Sequence, residues 1–423
     1  MSLSAFERFQ LKHSMWLFIV LSAIYLINSF GYFRLSHDTI RYLQMEDWME
    51  KGIPLKQIAS RDFLPYGYSF LLFLLSRLHL LNAVVIIMIN IFYLCGSFYF
   101  IKKIFGLTTA VFQVMIYVLL SWLIMKSVLT ARSEMQYLFF SSGTIWFYIA
   151  FGRHREMRWL FAALAFFILA LLTRTIAISL LAAAVLDIVL ANRKNLSERI
   201  LKHKFSLMVA LAGLALLIYF FSTLKFGDYI HYAIRPFQSG QGWAFFLLFP
   251  GHLSDLGEVF LNTPSSKINF LPVVVKLIIF GLVGLYCFGR IVSAIFLKPI
   301  QTPRIVGCYI IMYSVIIFCW PFLDSRFWLP LIPFWISILM SSSSPIGKIT
   351  SVPISMGKWI YLTTGVFALT YYTFTSFNKQ AISVRQDAGI WRNEYETYFF
   401  GKPLSDTASR VDPVALKWLK KMN

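Results

Sequence analysis

The stretch SHDTIRYLQMEDWMEKG, residues 36–52, places side chains that could do chemistry directly after an apolar segment. The carboxylate of Asp38 can accept a proton from a hydroxyl or an amide, and His37 and Arg41 stand beside it. If this stretch is helical, Asp38 shares one face with Arg41 and Tyr42, because residues three and four positions apart are neighbours on a helix. The plainer alternative is that Asp38 caps the helix and pairs with Arg41. The sequence alone leaves both interpretations open.

Five further charged residues interrupt or border apolar sequence. Glu134, in LTARSEMQYLFF, is the only acid between its two apolar segments, and a helix N-terminus would favour it there even without a functional role. Arg174, in LLTRTIAIS, and Lys276 are costly in apolar surroundings unless they pair with an anion such as a lipid phosphate, although such side chains also extend to lipid headgroups. Asp324 and Arg326 occupy a turn of only a few residues in WPFLDSRFWLPLIPF.

Membrane-spanning helices are the elements that must position these residues. The chain of 423 residues is 58% hydrophobic and 14% charged, and its mean hydropathy is +0.68. Apolar runs close to the thickness of a bilayer's hydrocarbon core recur along it, which predicts an all-α, polytopic membrane protein. The first run follows Arg8 and Lys12 and precedes no small-residue cleavage site, so we expect a retained anchor rather than a cleaved signal peptide.

We predict about eleven transmembrane helices. They lie near residues 15–33, 83–101, 107–125, 135–151, 159–173, 175–191, 205–223, 271–289, 305–321, 327–341 and 358–376. The basic clusters between them fall on one side if the N-terminus is cytoplasmic, which places the C-terminus outside. This parity requires that residues 64–81, a short segment interrupted by Arg77 and His79, form a re-entrant or interfacial helix instead of a span.

The predicted domain organisation is a transmembrane catalytic domain, residues 1–376, followed by a short external tail, residues 377–423. The external loops of the first part are residues 34–82 and 224–270. In the tail, Asp412-Pro413 is a typical start for a short amphipathic helix.

Several functional classes are excluded or disfavoured. The net charge of +20 comes from short basic clusters between apolar segments and not from a basic patch interleaved with aromatic residues, so no nucleic-acid partner is predicted. The four cysteines all lie in apolar segments, where they form neither a disulfide framework nor a CxxC metal site. The nucleotide-binding, metalloprotease and nucleophile-elbow motifs are missing from the sequence. Because the cytoplasmic loops are too short for a nucleotide-binding domain, an activated donor for an enzyme of this kind would be lipid-linked.

HDTIRYLQMEDWMEKG followed by FLPYGYSFLLFLLSRL resembles the first external loop of the GT-C superfamily of membrane glycosyltransferases. That superfamily includes protein O-mannosyltransferases, lipid A aminoarabinose transferases and the catalytic subunits of oligosaccharyltransferases. On this resemblance Asp38 fills the acidic position, Arg41 and Tyr42 follow it, and Tyr66 and Tyr68 belong to the Pro/Tyr element. ARSEM is similar to the second-loop acidic motif, LLTRT to a hairpin motif and SRFWLPLIPF to a late helix. The chain departs from the family's common pattern in carrying His37-Asp38 where Asp-Glu is common and one Pro instead of two, and we expect it to lack the large soluble C-terminal domain of some members.

The resemblance implies an inverting glycosyltransferase that moves a sugar from a polyprenyl-phosphate donor to a protein, lipid or glycan acceptor. Asp38 would be the base with Glu134 as the second candidate, and Arg326 would hold the phosphate ahead of Arg174 and Lys276. The remaining candidate substrate-binding residues are His37, Arg41, Tyr42, Tyr66, Tyr68 and Asp324. No cofactor and no metal ligands are predicted, and a divalent cation is left open. We expect membrane lipids as partners and a site that faces the periplasm from a bacterial inner membrane.

Two other functions compete with this one. A transporter or flippase of lipid-linked sugars predicts internal two-fold repeats and ionisable residues deep in the bundle. The sequence contains no repeat of fixed period, and its ionisable residues cluster at the outer ends of the predicted spans, with Asp187 as an exception. A non-catalytic membrane scaffold would not need acids and bases to converge on one face.

Overall fold

The computed structural model describes residues 5–107, 111–192, 244–297, 302–341, 348–404 and 410–423, together with the single residues His231 and Gln238. All regular secondary structure in these ranges is helical and none of them contains a strand, which confirms the all-α prediction for the described part of the chain. The predicted span at 205–223 and the basic cluster at 193–204 lie outside the described residues. So does most of the external loop between residues 224 and 243.

Eighteen α-helices occur in the described ranges. They are α1 (Ala5–Asn28), α2 (His37–Glu50), α3 (Leu55–Arg61), α4 (Gly67–Arg77), α5 (Ala83–Phe105), α6 (Val111–Leu119), α7 (Trp122–Val128), α8 (Glu134–His154), α9 (Met157–Thr173), α10 (Ile178–Asn192), α11 (Ala244–Leu261), α12 (Val273–Leu297), α13 (Arg304–Phe318), α14 (Ile332–Ser341), α15 (Lys348–Phe377), α16 (Lys379–Arg385), α17 (Arg392–Phe400) and α18 (Pro413–Met422). Short 3₁₀ helices cover Thr175–Ala177, Ser265–Lys267, Ser325–Leu331 and Gln386–Gly389.

The apolar helices are compatible with a membrane protein. Among the described residues, α5 and α12 are long and apolar enough to cross a bilayer, and α6 and α7 qualify together as one span bent by 73°. Five shorter apolar helices follow the predicted pattern, namely His13–Asn28, Met157–Thr173, Thr175–Ala191, Arg304–Phe318 and Ser325–Met340. The total of eleven spans and the orientation of the chain stay predictions.

The segment predicted as a span at 107–125 is bent at a break between α6 and α7. The side chain of Asn262 occupies the break, where its amide donates to the Leu120 carbonyl at 2.8 Å and its oxygen accepts from the Trp122 N–H at 2.9 Å. The same amide also donates to the carbonyl of Tyr361 at 3.0 Å. In apolar surroundings a helix can break only where other groups satisfy the freed backbone, and Asn262 does so from about 140 residues away in the chain.

Residues 64–81 contain the single helix α4 (Gly67–Arg77), which is 11 residues long. At 1.5 Å per residue this helix measures about 16 Å, roughly half of the hydrocarbon thickness. Its length is consistent with the expectation that this segment does not cross the membrane.

The helices form two apolar cores. The larger core includes residues of the consecutive helices α5 through α10 and of α13 and α14. Within it, α8 packs between α5 and α9, and α10 packs on α13. The second core joins α2 and α4 to the C-terminal tail, whose Tyr395, Trp418 and Leu419 are all buried in it. As predicted, Asp412 caps α18, with its carboxylate accepting from the Val414 N–H at 2.8 Å. The tail therefore packs directly on the segment that carries α2 and α4.

Candidate active site

A cavity of about 650 Å³ opens beside the first turn of α2. Seven of the predicted site residues line it, and they are Asp38, Arg41, Tyr42, Glu134, Arg174, Asp324 and Arg326. Most of the remaining wall is apolar, with Phe63, Leu64 and Pro65 on one segment and Val315, Ile316 and Trp320 among the others. A pocket with apolar walls and a few convergent polar groups is the usual form of a binding site for a small molecule or a lipid-linked one.

Ser36, and not Asp38, caps α2. The Ser36 hydroxyl accepts from the Thr39 N–H at 3.2 Å, and the Thr39 hydroxyl donates to the Ala131 carbonyl at 3.1 Å. Asp38 lies in the first helical turn with its carboxylate at the cavity wall. The alternative in which Asp38 acts as the helix cap is therefore wrong, and its carboxylate is left available for another contact.

Asp38 makes that contact with Arg326, 288 residues away in the sequence. The Nη1 atom of Arg326 pairs with Oδ2 of Asp38, and its Nε lies 2.6 Å from Oδ2 of Asp324. Burial alone raises the pKa of the Asp38 carboxyl, but the positive charges of Arg326, Arg132 and Arg174 outweigh burial and hold the pKa below its ordinary value. Asp38 is thus ionised at neutral pH and sits in a positive environment.

Glu134 and Arg174 form a second ion pair in the cavity, with Nη1 of Arg174 at 3.0 Å from Oε1 of Glu134. Glu134 is buried at the first turn of α8, where the helix dipole favours a carboxylate. The neighbouring Ser133 hydroxyl lies 2.8 Å from the hydroxyl of Tyr42, which joins the start of α8 to α2. The cavity therefore holds ion pairs of Glu134 with Arg174 and of Arg326 with Asp38 and Asp324, contributed by four separate parts of the chain.

Arg41 connects α2 to the opposite wall of the cavity. Its guanidinium donates twice to Asp62, at 2.5 and 2.8 Å, and covers the ring of Phe63 at 4.2 Å. Asp62 in turn accepts from the Leu64 N–H at 2.8 Å, so this ion pair fixes the wall segment that begins at Phe63. The distance from Arg41 to Asp38 is 3.9 Å, and Asp62 is therefore the main partner of Arg41.

Four predicted residues lie away from the cavity lining. His37 is exposed, and its ring packs on that of Trp391 at 5.0 Å. Tyr68 is buried behind Tyr42 at 5.1 Å between ring centroids, and Tyr66 packs against the apolar cores. Lys276 is half-buried on α12, a helix that turns much of its surface outward.

Sequence reasoning missed two residues of this site, Arg132 and Asp62. Arg132 is 4% exposed, its Nε donates to the Ser36 hydroxyl at 3.1 Å, and its charge acts on the carboxyl of Asp38. Its position two residues before Glu134, in the same short turn, was the available signal. Asp62 offered no such signal, because it is one of several acids between residues 34 and 64.

The described part of the chain contains no group of three or more His, Cys, Asp or Glu side chains placed to hold a metal ion. What the cavity does offer is carboxylates, guanidinium groups and apolar walls within one space, which suits a molecule with an anionic head and a greasy body. Comparisons of the chain with protein-family models, with curated proteins and with solved structures gave no significant match.

Proposed function

We propose that the protein is an inverting membrane glycosyltransferase that moves a sugar from a polyprenyl-phosphate donor to a protein, lipid or glycan acceptor. The cavity faces the outside, which is the periplasm of a bacterial inner membrane. One observation carries the proposal: carboxylates and guanidinium groups from positions 38, 134, 174 and 326 converge on one cavity with apolar walls.

The reaction needs both kinds of charge. The acceptor atom forms a bond to the anomeric carbon of the sugar while the bond from that carbon to the phosphate oxygen breaks. A carboxylate takes the proton that the acceptor gives up, and a cation stabilises the negative charge on the departing phosphate. Asp38 supplies the base in this proposal, and Arg326 supplies the cation, because a guanidinium can bind a phosphate through two parallel hydrogen bonds.

In the structure Asp38 and Arg326 contact each other, which leaves no room for a sugar between them. Donor binding must therefore part the two side chains. The donor phosphate takes the place of Asp38 on Arg326, and the freed carboxylate turns to the acceptor. Asp324 keeps Arg326 in position during this exchange, since its carboxylate holds the Nε edge of the guanidinium at 2.6 Å.

The apolar wall accounts for the lipid part of the donor. Ile176, Val315 and Ile316 are part of the apolar lining of the cavity, and so are Phe322 and Leu323, next to the turn that carries Arg326. Contact between an isoprenoid chain and these side chains removes apolar surface from water, at about 25 cal/mol per Å².

The transporter alternative gains no specific support from the described residues. Asp187, the exceptional acid of the sequence, is bound by Arg304 at 2.6 Å and by the Tyr148 hydroxyl at 3.0 Å. These contacts tie α8, α10 and α13 together, which gives Asp187 a structural explanation.

The experiment that tests the proposal compares membranes from cells with the gene and cells without it by mass spectrometry of their proteins, lipids and glycans. We expect one glycosyl mass to be missing from one acceptor class when the gene is absent, and wild-type protein but not the Asp38→Asn variant to restore it. Unchanged masses, combined with movement of lipid-linked sugars across vesicles that contain the purified protein, would instead establish the transporter.

A further inference from the structure

The segment that leads into α2 is held by the far end of the chain. The Phe33 N–H donates to the side chain of Asn423 at 2.8 Å, and the Leu35 N–H donates to the hydroxyl of Tyr395 at 2.8 Å. The same hydroxyl donates to the Phe33 carbonyl at 2.8 Å, so it joins two backbone groups that lie two residues apart. Tyr395 is fully buried, and these are contacts that a phenylalanine at its position would lose.

Gln386 holds the same segment from another direction. Its amide donates to the Leu35 carbonyl at 2.8 Å, and its oxygen accepts from Nη1 of Arg34 at 3.0 Å. Arg34 is buried and also donates to the hydroxyls of Thr375 and Ser376 at the end of α15. Residues 33–35 are therefore fixed by hydrogen bonds to residues more than 330 positions later in the chain.

This segment decides where Asp38 stands. Leu35 is followed directly by Ser36, whose hydroxyl caps α2 and accepts from Arg132. Asp38 is the second residue of that helix, so a shift of the cap moves the carboxylate in the cavity.

The tail also approaches the site through a strained turn. Asp387 and Ala388 have φ angles of 48° and 58°, a left-handed conformation that residues with a side chain rarely adopt. In this conformation the Asp387 carboxylate lies 3.6 Å from Lys126, and Trp391 reaches the ring of His37. Such strain persists only where the surrounding structure holds it, and functional sites are where it commonly occurs.

We propose that the C-terminal tail supports the candidate active site from behind its lining and that Tyr395 and Gln386 are positioning residues for Asp38. Neither side chain lines the cavity, and both act through the backbone of Leu35. The kinetic part of this inference rests on the proposed glycosyltransferase function, whereas its structural part does not.

Hydrogen exchange measured by mass spectrometry on the full-length protein tests the structural part. In Tyr395→Phe the peptides that cover residues 33–43 should exchange faster by about tenfold or more, because the two hydrogen bonds of the Tyr395 hydroxyl to residues 33 and 35 are lost. Gln386→Glu, which keeps an acceptor for Arg34 but loses the donor to Leu35, should give the same local change.

The matched control is Tyr398→Phe, which removes a hydroxyl from the helix that carries Tyr395 without touching residues 33–35. Unchanged exchange in both test variants would overturn the inference. Faster exchange spread over the whole protein would also overturn it, because Tyr395 and Gln386 would then contribute only to global stability.

Kinetics test the catalytic part. In Tyr395→Phe we expect kcat to fall by about tenfold with the donor KM unchanged, because the donor contacts at Arg326 and Arg174 stay in place while the base is displaced. An unchanged kcat alongside faster exchange would overturn the assignment of Tyr395 as a positioning residue. If wild-type protein transfers no glycosyl group, the proposed function fails, and the exchange experiment still decides whether the tail positions α2.

Discussion

At the scale of single residues, the charge on Asp38 is the central feature. Three guanidinium groups act on its carboxyl and lower its pKa, and one of them contacts it directly. A carboxylate stabilised in this way is a weak base until the contact is broken. Donor binding and base activation are therefore coupled in the proposed mechanism, because the same guanidinium serves the carboxylate before the donor binds and the phosphate afterwards.

The Asp38→Asn variant separates the role of Asp38 as the base from its pairing with Arg326. We expect turnover to fall by roughly 10²–10⁴, the usual contribution of a general base. Affinity for a polyprenyl phosphate, measured by binding to purified protein, should rise, because asparagine competes less well for Arg326. The control is Asp47→Asn on the same helix, since Asp47 pairs with Lys51 and Lys417 and is not part of the cavity lining. Turnover within a few-fold of wild type would transfer the role of base to Glu134.

The pH dependence of stability follows from the lowered pKa of Asp38. A group whose folded pKa is depressed contributes stability above its unfolded pKa, and that contribution is lost as the pH falls through the folded value. The difference in unfolding temperature between wild type and Asp38→Asn should thus be constant from neutral pH down to about pH 5 and narrow below about pH 4. Thermal unfolding of wild type and Asp38→Asn, measured between pH 7 and pH 3, checks this prediction. A difference that already narrows between pH 7 and 5 would contradict a depressed pKa.

Arg326→Lys tests the guanidinium itself. Arg326 presents Nη1 to Asp38 and Nε to Asp324, which an ammonium group cannot do in the same geometry. We expect the donor KM to rise about tenfold or more and kcat to fall, whereas Arg158→Lys, an exposed base paired with Glu156, should behave as wild type. Unchanged kinetics in a well-expressed variant would move the phosphate to Arg174. Lys276 is no longer the next candidate, because it is not part of the cavity lining.

At the scale of helices, the sequence predicts elements well where the signal is local. The span expected at 135–151 is the helix Glu134–His154, with an acid in its first turn and bases in its last. The hairpin expected at 159–173 and 175–191 is α9 and α10 with one 3₁₀ turn between them. The break between α6 and α7 was not predictable, because its cause is an asparagine 140 residues later in the chain.

Asn262→Gly measures how much that asparagine stabilises the break. Asn262 has a φ of 55°, which glycine adopts without strain, so the substitution removes only the side-chain contacts. Leu120, Tyr361 and Trp122 would each lose a hydrogen bond in buried surroundings, and we expect unfolding to become easier by about 2–4 kcal/mol. Thermal unfolding in detergent is the measurement. Asn378→Gly, which removes one helix-capping contact, should cost only a few tenths of a kcal/mol, and an equal effect of the two would contradict the role of Asn262.

At the scale of the whole molecule, the residues that converge share one property. Asp38, Glu134, Arg174 and Arg326 all lie at helix ends or in turns, and all four line the same cavity. The sequence pattern was sufficient to predict that convergence. The pattern did not predict which way α12 faces, so Lys276 was included among the candidate site residues only because of its expected depth in the membrane. It also gave no indication that the tail packs on α2. Such contacts depend on how distant surfaces fit together, which no local pattern encodes.

The orientation of the bundle is the remaining whole-molecule prediction. Glu134 borders the cavity and His154 ends the same helix, so the two are about 30 Å apart, at opposite ends of the bundle. Lys56, on α3, is exposed and lies in residues 34–82, the predicted first external loop, which also contributes Asp38 to the cavity. Single cysteines should therefore distinguish the two sides, in a background where Cys95, Cys287, Cys308 and Cys319 are replaced by serine. Ser36 is unsuitable as a labelling position because it is buried and caps α2.

In intact cells, a membrane-impermeant maleimide should label Lys56→Cys and leave His154→Cys unlabelled, and both should react after the membrane is permeabilised. The reason is that basic loops stay in the cytoplasm, and Arg153, Arg155 and Arg158 surround His154. The reversed pattern would turn the cavity towards the cytoplasm. In that case a donor on the outer face could not reach Asp38, and the periplasmic site would have to be abandoned.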